Sequence, residues 1–279
     1  MTIAAKHRDA LEAAGAAADD AIDIGATALT LAAVGRPDTS REPYRRHLEK
    51  LTAEVGAYAR RGPRAPSLAL KHEALSQVIH RRLGYAGTED AFDDIEAANL
   101  MRVIDRRGGL PVALGILYLH AAHALGWPAA GVDFPGRFLL SLDGDGRRLI
   151  FDPFDGGAEV AVPELRQLLK TMAGDGAELR PEHYRAAGPR AVLLRLQNNI
   201  KVRHLEAGHI EAALRTMETM VMIAPMEAAL WREQGMLHAR LDQIPAAVAA
   251  LEESLRRGRD DEARYKTSAF LQELRRRLG

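Results

Sequence analysis

The sequence predicts an α+β fold, mostly helical. A helical N-terminal layer packs on a helix-plus-antiparallel-sheet core, and α-hairpin repeats follow. Three observations predict it. Residues 111–125 form a helix that is apolar around nearly its whole circumference. Two short, mostly apolar segments that read as strands, 137–142 and 148–151, flank the turn signal Asp143-Gly144-Asp145-Gly146. Behind them, small and apolar residues recur 34 positions apart.

From the start of the chain, residues 1–18 are alanine-rich and predict a helix with a loosely attached end. Asp19 or Asp20 suits the start of a second helix that runs through Ile22, Leu29 and Val34 to a stop at Gly35 and Pro37. Ser40-Arg41-Glu42-Pro43 opens a third. Its apolar positions Tyr44, Leu48, Leu51, Val55 and Tyr58 recur three or four apart, and Gly62-Pro63 ends it. Ser67 begins a fourth, which Gly84 terminates.

Residues 88–94 are acidic but lack the D-x-D-x-D-G spacing of a calcium loop, so they read as a solvated loop. A short helix over 95–106 leads to Arg107-Gly108-Gly109. Neither phosphate-cradling glycine motif is present there. Pro111 then stands at a first-turn position, where its missing N–H costs nothing, and Gly126 sits at a left-handed stop before Pro128. The helix between them is shorter than the roughly 20 residues a bilayer needs, so it is buried in protein. His120 and His123 on it lack a third metal ligand and read as locally satisfied histidines. Ser141 lies in a strand without the G-x-S-x-G elbow of a serine nucleophile.

The segments Asn99-Leu100, Val103-Ile104, Arg107-Gly108-Gly109-Leu110-Pro111, Gly126-Trp127-Pro128, Pro135-Gly136-Arg137-Phe138-Leu139 and Asp152-Pro153-Phe154-Asp155-Gly156-Gly157 carry a resemblance. Their order resembles the transglutaminase-like, papain-related fold, and nearly the whole chain resembles the SirB-type proteins. The resemblance implies a nucleophilic cysteine at the helix start, a histidine on the next strand and an aspartate on the strand after it. Here the helix start reads Gly109-Leu110-Pro111-Val112, the strand position is Arg137, and only Asp152 survives. The chain contains no cysteine. A guanidinium stays protonated and cannot act as a base. The expectation is therefore a non-enzyme with no catalytic residue and no cofactor. Pro111, Arg137 and Asp152 mark a vestigial cleft closed by an Arg137–Asp152 ion pair. The alternative is an enzyme or small-anion binder that reuses the cleft, with Arg137 holding the anion and Asp152 as base.

After Asp152, a helix starts at Val162-Pro163, and residues 173–188 read as a linker. The expected domains are 1–182, with its core at 99–157, and 190–279. In the second, Ala213 and Ala247, Met217 and Leu251, His204 and His238, and the turn positions Gly208 and Asp242 all stand at the 34-residue tetratricopeptide period. Trp231 and Gly235 approach the repeat's W-x-x-L-G signature, and Asp261–Leu278 reads as a capping helix. A groove for a protein or peptide, involving His204, Trp231 and His238, is the functional expectation.

Lys+Arg and Asp+Glu are both 38, so net charge is zero and nothing draws the chain as a whole to nucleic acid or anionic membrane. The first residues lack the apolar core of a signal peptide. A cytoplasmic adaptor acting through protein contacts is the reading these features favour, with no nucleic-acid or membrane partner.

Overall fold

A computed structural model describes residues 3–60 and 65–278. The predicted helix stop at Gly62-Pro63 lies outside the described residues. The chain divides into two compact units, Ala18–Leu193 and Met1–Ala17 with Leu194–Gly279. Among the described residues, no helix is long and apolar enough to cross a membrane.

The first helix, α1 (Ala5–Ala16), belongs with the C-terminal helices. The sequence places it in the N-terminal layer as a loosely attached end. In the structure Leu11 is fully buried, and the backbone beside Gly15 approaches the Met222 carbonyl so closely that a Cβ would sit 2.0 Å from its oxygen.

The larger unit begins with α2 (Ile24–Val34). Asp19 and Asp20 form a separate 3-10 turn. The helix cap is Asp23, whose carboxylate accepts from the Ala26 N–H at 2.9 Å. In α3 (Glu42–Ala59), Leu48, Leu51 and Val55 are buried as one stripe. Tyr44 and Tyr58 flank it and turn their hydroxyls to Asp105 and Glu73. Helix α4 (Leu68–Ser76) is capped by Ser67 and runs on into a π-helical turn, Gln77–Arg82. The predicted 95–106 helix splits in two. A 3-10 turn covers Ile95–Ala98, and α5 (Leu100–Arg106) starts after Asn99, whose side chain accepts from the Met101 and Arg102 N–H groups.

Helix α6 (Pro111–Ala124) has ten buried residues and ends, as its sequence predicts, on Gly126 at φ +68°. Its companions are the strands β1 (Ala129–Phe134), β2 (Arg137–Gly144), β3 (Arg147–Asp152) and β4 (Ala158–Glu159). Then come α7 (Val162–Ala173) and β5 (Ala186–Ala187). All pairings are antiparallel, in the order β4-β3-β2-β1-β5. The alternation along β2 serves two layers. Phe138 and Leu140 meet α6 at Gly115, where a Cβ would lie 2.6 Å from the Phe138 ring. Leu139 joins Val132 and Phe134 under Leu165 and Leu169 of α7.

The segment read as a linker is part of this unit. Ala186 and Ala187 pair with Val132 and Gly131, and the Arg190 N–H donates to Asp19 at 2.9 Å. The division between units falls after Leu193, inside α8 (Pro189–Glu206). A strand of two alanines has no alternation to announce it.

The smaller unit continues through α9 (Ile210–Ile223), α10 (Ala228–Arg240), α11 (Ile244–Arg257) and α12 (Asp261–Leu278). The 34-residue pairs fall on equivalent places. Ala213, Ala247, Met217 and Leu251 are fully buried, and Gly208 and Asp242 both take positive φ, +74° and +57°. Helix α12 closes the array through Leu271 and Leu274, which pack on Ile244, Ala247 and Leu251.

Candidate functional site

The residues that resemble a catalytic triad are held by three elements of the larger unit. Pro111 is the first helical residue of α6, half-buried, and offers no donor, acceptor or nucleophile from its side chain. Arg137 opens β2 and Asp152 closes β3. The β2–β3 register, with Leu140 opposite Phe151, puts both at the same end of the ladder. Arg137 Nε donates to Asp152 Oδ2 at 2.6 Å, and a terminal guanidinium nitrogen lies against the same oxygen. Asp152 Oδ1 accepts from the Phe154 N–H at 2.8 Å. The ion pair expected from the sequence is present. The carboxylate is 1% exposed and both of its oxygens are engaged.

Residues not singled out in the sequence complete this end of the sheet. His72 of α4 packs edge-on against Phe151 with ring centroids 5.1 Å apart. Its Nε2 donates to the Gly157 carbonyl at 2.8 Å, so this imidazole is tied to the backbone and not aimed at Asp152. Tyr118 of α6 also packs on Phe151, 5.7 Å between centroids, and its buried hydroxyl has no hydrogen-bond partner. Burial first, and then the Asp152 charge, push its pKa far above the ordinary phenol value. It is a neutral phenol at any physiological pH. His72 and Tyr118 carry no local motif. Only the contacts of DPFDGG with α4 and α6 reveal them.

Both histidines of α6 have local partners. His123 Nε2 donates to the Ala129 carbonyl at 2.8 Å, and His120 Nδ1 stands 3.7 Å from Asp23 Oδ1. The nearby His120 imidazole first, and the Ala26 N–H with it, hold the Asp23 carboxyl below its ordinary range against the opposing effect of burial. Among the described residues, no group of three or more acidic or histidine side chains is placed to hold a metal.

In the smaller unit each of the three residues expected at a groove makes local contacts. Trp231 is half-buried, its Nε1 donates to the Pro225 carbonyl at 2.8 Å, and Arg257 covers its ring at 5.0 Å. His238 Nδ1 pairs with the Gln243 amide oxygen at 2.7 Å in the α10–α11 turn. The ring of His204 lies 6.2 Å from that of His209, centroid to centroid, across the α8–α9 turn. All three belong to turns and helix packing. An open cavity of about 580 Å³ lies between α10 and α12, with Leu251 of α11 beneath it. Arg232, Met236 and Arg240 line it from one side, and Lys266, Phe270 and Arg277 from the other.

This architecture, a buried helix on an antiparallel sheet followed by helical hairpins, defines a transglutaminase-like protein with tetratricopeptide repeats. A family model described as Transglutaminase-like superfamily matches residues 42–198, and a tetratricopeptide repeat model matches residues 200–272. A UPF0162 protein of Pseudomonas aeruginosa is 30% identical over 228 residues, covering 82% of each chain. One from Xylella fastidiosa (strain Temecula1) is 28% identical over 241 residues, 85% of this chain and 84% of its own. Protein SirB1 of Salmonella typhimurium is 26% identical over 180 residues, 64% of this chain and 66% of its own. The chain belongs to the UPF0162 family of transglutaminase-like proteins. The solved structure of menin matches at a TM-score of 0.39 and 11% identity, over 94% of this chain and 73% of that one, which is too distant to carry an argument.

Proposed function

We propose that this protein is a non-catalytic adaptor of the cytoplasm that acts through protein contacts of its repeat unit. The observation that carries the reading is the state of the three triad positions. Proline stands at the helix start, and the base position holds a guanidinium that is itself bound to the remaining carboxylate. Acyl transfer of the papain type needs a thiolate, an imidazole in reach and a carboxylate free to orient it. Arg137 and Asp152 neutralise one another, which also weighs against an anion held by Arg137 with Asp152 as base. Tetratricopeptide repeats in general mediate protein–protein interactions, and the neutral net charge supports a protein partner over nucleic acid or membrane.

The test has two arms on the full chain. Amide, ester and thioester substrates are expected to turn over no faster than in buffer, and tagged protein is expected to retain specific partners from cell extract. Reproducible turnover that Asp152→Asn abolishes would overturn the reading. Empty capture would do the same.

A further inference from the structure

The cavity between α10 and α12 has a composition that selects its occupant. Four cations surround it: Arg232 and Arg240 on α10, Lys266 and Arg277 on α12. No carboxylate lines it among the described residues. Two of the cations have exposed partners outside the cavity, Lys266 with Glu262 and Arg277 with Asp242, each at 2.6 Å. Exposed pairs of this kind are weak and exchange readily for another carboxylate. Arg232 and Arg240 make no hydrogen bond or ion pair with a side chain among the described residues. The positive charge is therefore concentrated here in a chain that is neutral overall.

The floor is apolar. Leu251 and Leu274 are buried beneath the cavity, Phe270 is half-buried, and Met236 on its wall is 48% exposed. Methionine is a soft, adaptable surface for an apolar side chain. A phosphate backbone would satisfy the cations but leave this floor wet. A neutral apolar peptide would cover the floor and leave the cations unanswered. An acidic segment carrying an apolar side chain satisfies both.

We propose that the α10–α12 groove binds an acidic peptide segment of a partner protein. One apolar side chain seats between Met236 and Phe270, and flanking carboxylates meet Arg232 and Arg240. This rests on the adaptor reading and names the chemistry of its partner.

The experiment titrates the full chain into a fluorescein-labelled peptide of about a dozen residues, alternating Asp-Glu with Leu, and reads anisotropy at low salt. Saturable binding is expected, weakened at least about tenfold by Arg232→Glu combined with Arg240→Glu, and weakened by added salt. A peptide with Ser for Leu is expected to bind less tightly, and one with Lys for the acids not at all. The milder pair Arg232→Ser and Arg240→Ser, checked for native circular dichroism, guards against a folding defect. Equal binding by the double variants would overturn the proposal, as would tighter binding of a labelled single-stranded oligonucleotide. So would self-association of the chain that the same variants abolish. If the tagged double variant still captures every partner of the wild type from extract, the groove assignment fails while the adaptor reading stands. If the wild type itself captures nothing, the adaptor reading is the one that fails.

Discussion

Arg137 and Asp152 meet on a single carboxylate oxygen: Nε and a terminal nitrogen of the guanidinium both point at Oδ2, while Oδ1 holds the Phe154 N–H. The carboxylate is buried and the arginine side chain is 39% exposed, so the pair plugs the end of the β2–β3 ladder with its cation facing out. Such a carboxylate is costly to keep without its partner.

Asp152→Asn is expected to destabilise the larger unit by about 2–3 kcal/mol, below the ~3–5 kcal/mol of a fully buried pair because Arg137 keeps part of its hydration. Urea unfolding measures it. Combining Asp152→Asn with Arg137→Met should cost less than the sum of the single changes, by about 1 kcal/mol or more. Additive losses would mean that the two side chains act independently.

The central elements were legible because each carries its own boundary signals. Pro111 and Gly126 delimit α6, and the Asp143–Gly146 turn fixes the register that sets Arg137 beside Asp152. Asp261–Leu278 emerges with the bounds expected for a capping helix. What stayed hidden depends on partners distant in sequence. In α1 alanine dominates, so its pattern does not say which core Leu11 enters. β4 and β5 are two residues each, too short for a period. The 34-residue period found the turns at Gly208 and Asp242, but it does not say which side of a helix faces a groove. His204, Trp231 and His238 recur or match the signature, and each makes a contact within the helices or turns of its own repeat. Arg232 and Met236, on the neighbouring face of the same helix, line the opening.

Asn99 joins two helices at once. Its Oδ1 caps α5 at Met101 and Arg102, and its Nδ2 donates to the Ala32 carbonyl of α2 at 3.1 Å, all with 7% exposure. Asn99→Ala should cost about 2–3 kcal/mol, the ~1 kcal/mol of a lost cap plus a buried carbonyl left unpaired. Asn99→Asp keeps the cap acceptor but sets a buried carboxylate oxygen against the Ala32 carbonyl, so it should recover little or none of that loss in chemical denaturation.

Gly235 is where α10 touches α11. A Cβ there would lie 2.8 Å from Leu251 Cγ and 3.2 Å from the Ala247 carbonyl oxygen. Gly235→Ala should therefore destabilise the repeat unit by about 1–3 kcal/mol through overpacking, despite alanine's better helix propensity. A thermal midpoint that rises instead would show that the two helices separate at little cost.

His47 of α3 faces a ring of donors. The Tyr85 hydroxyl lies 2.8 Å from its Nε2, and an Arg107 nitrogen lies 2.9 Å from the same atom. Arg107 only donates, so Nε2 must accept and the imidazole is neutral. Burial first, then the Arg107 charge and Lys50, hold its pKa below the ordinary 6.5, with Glu54 opposing. Burial also pushes the Tyr85 hydroxyl up to about 12, so it stays protonated beside His47. A histidine with a depressed folded-state pKa destabilises as pH falls: the unfolded chain takes up a proton near 6.5 while the folded chain does not. Stability should accordingly decline as pH drops below about 6.5 and level off below the folded pKa. His47→Gln keeps an acceptor for both donors and removes the titration, so the variant should lose less stability than the wild type between about pH 7.5 and 5. Thermal unfolding of both proteins across that range decides it, because a pH-independent difference between them would assign the titration to another group.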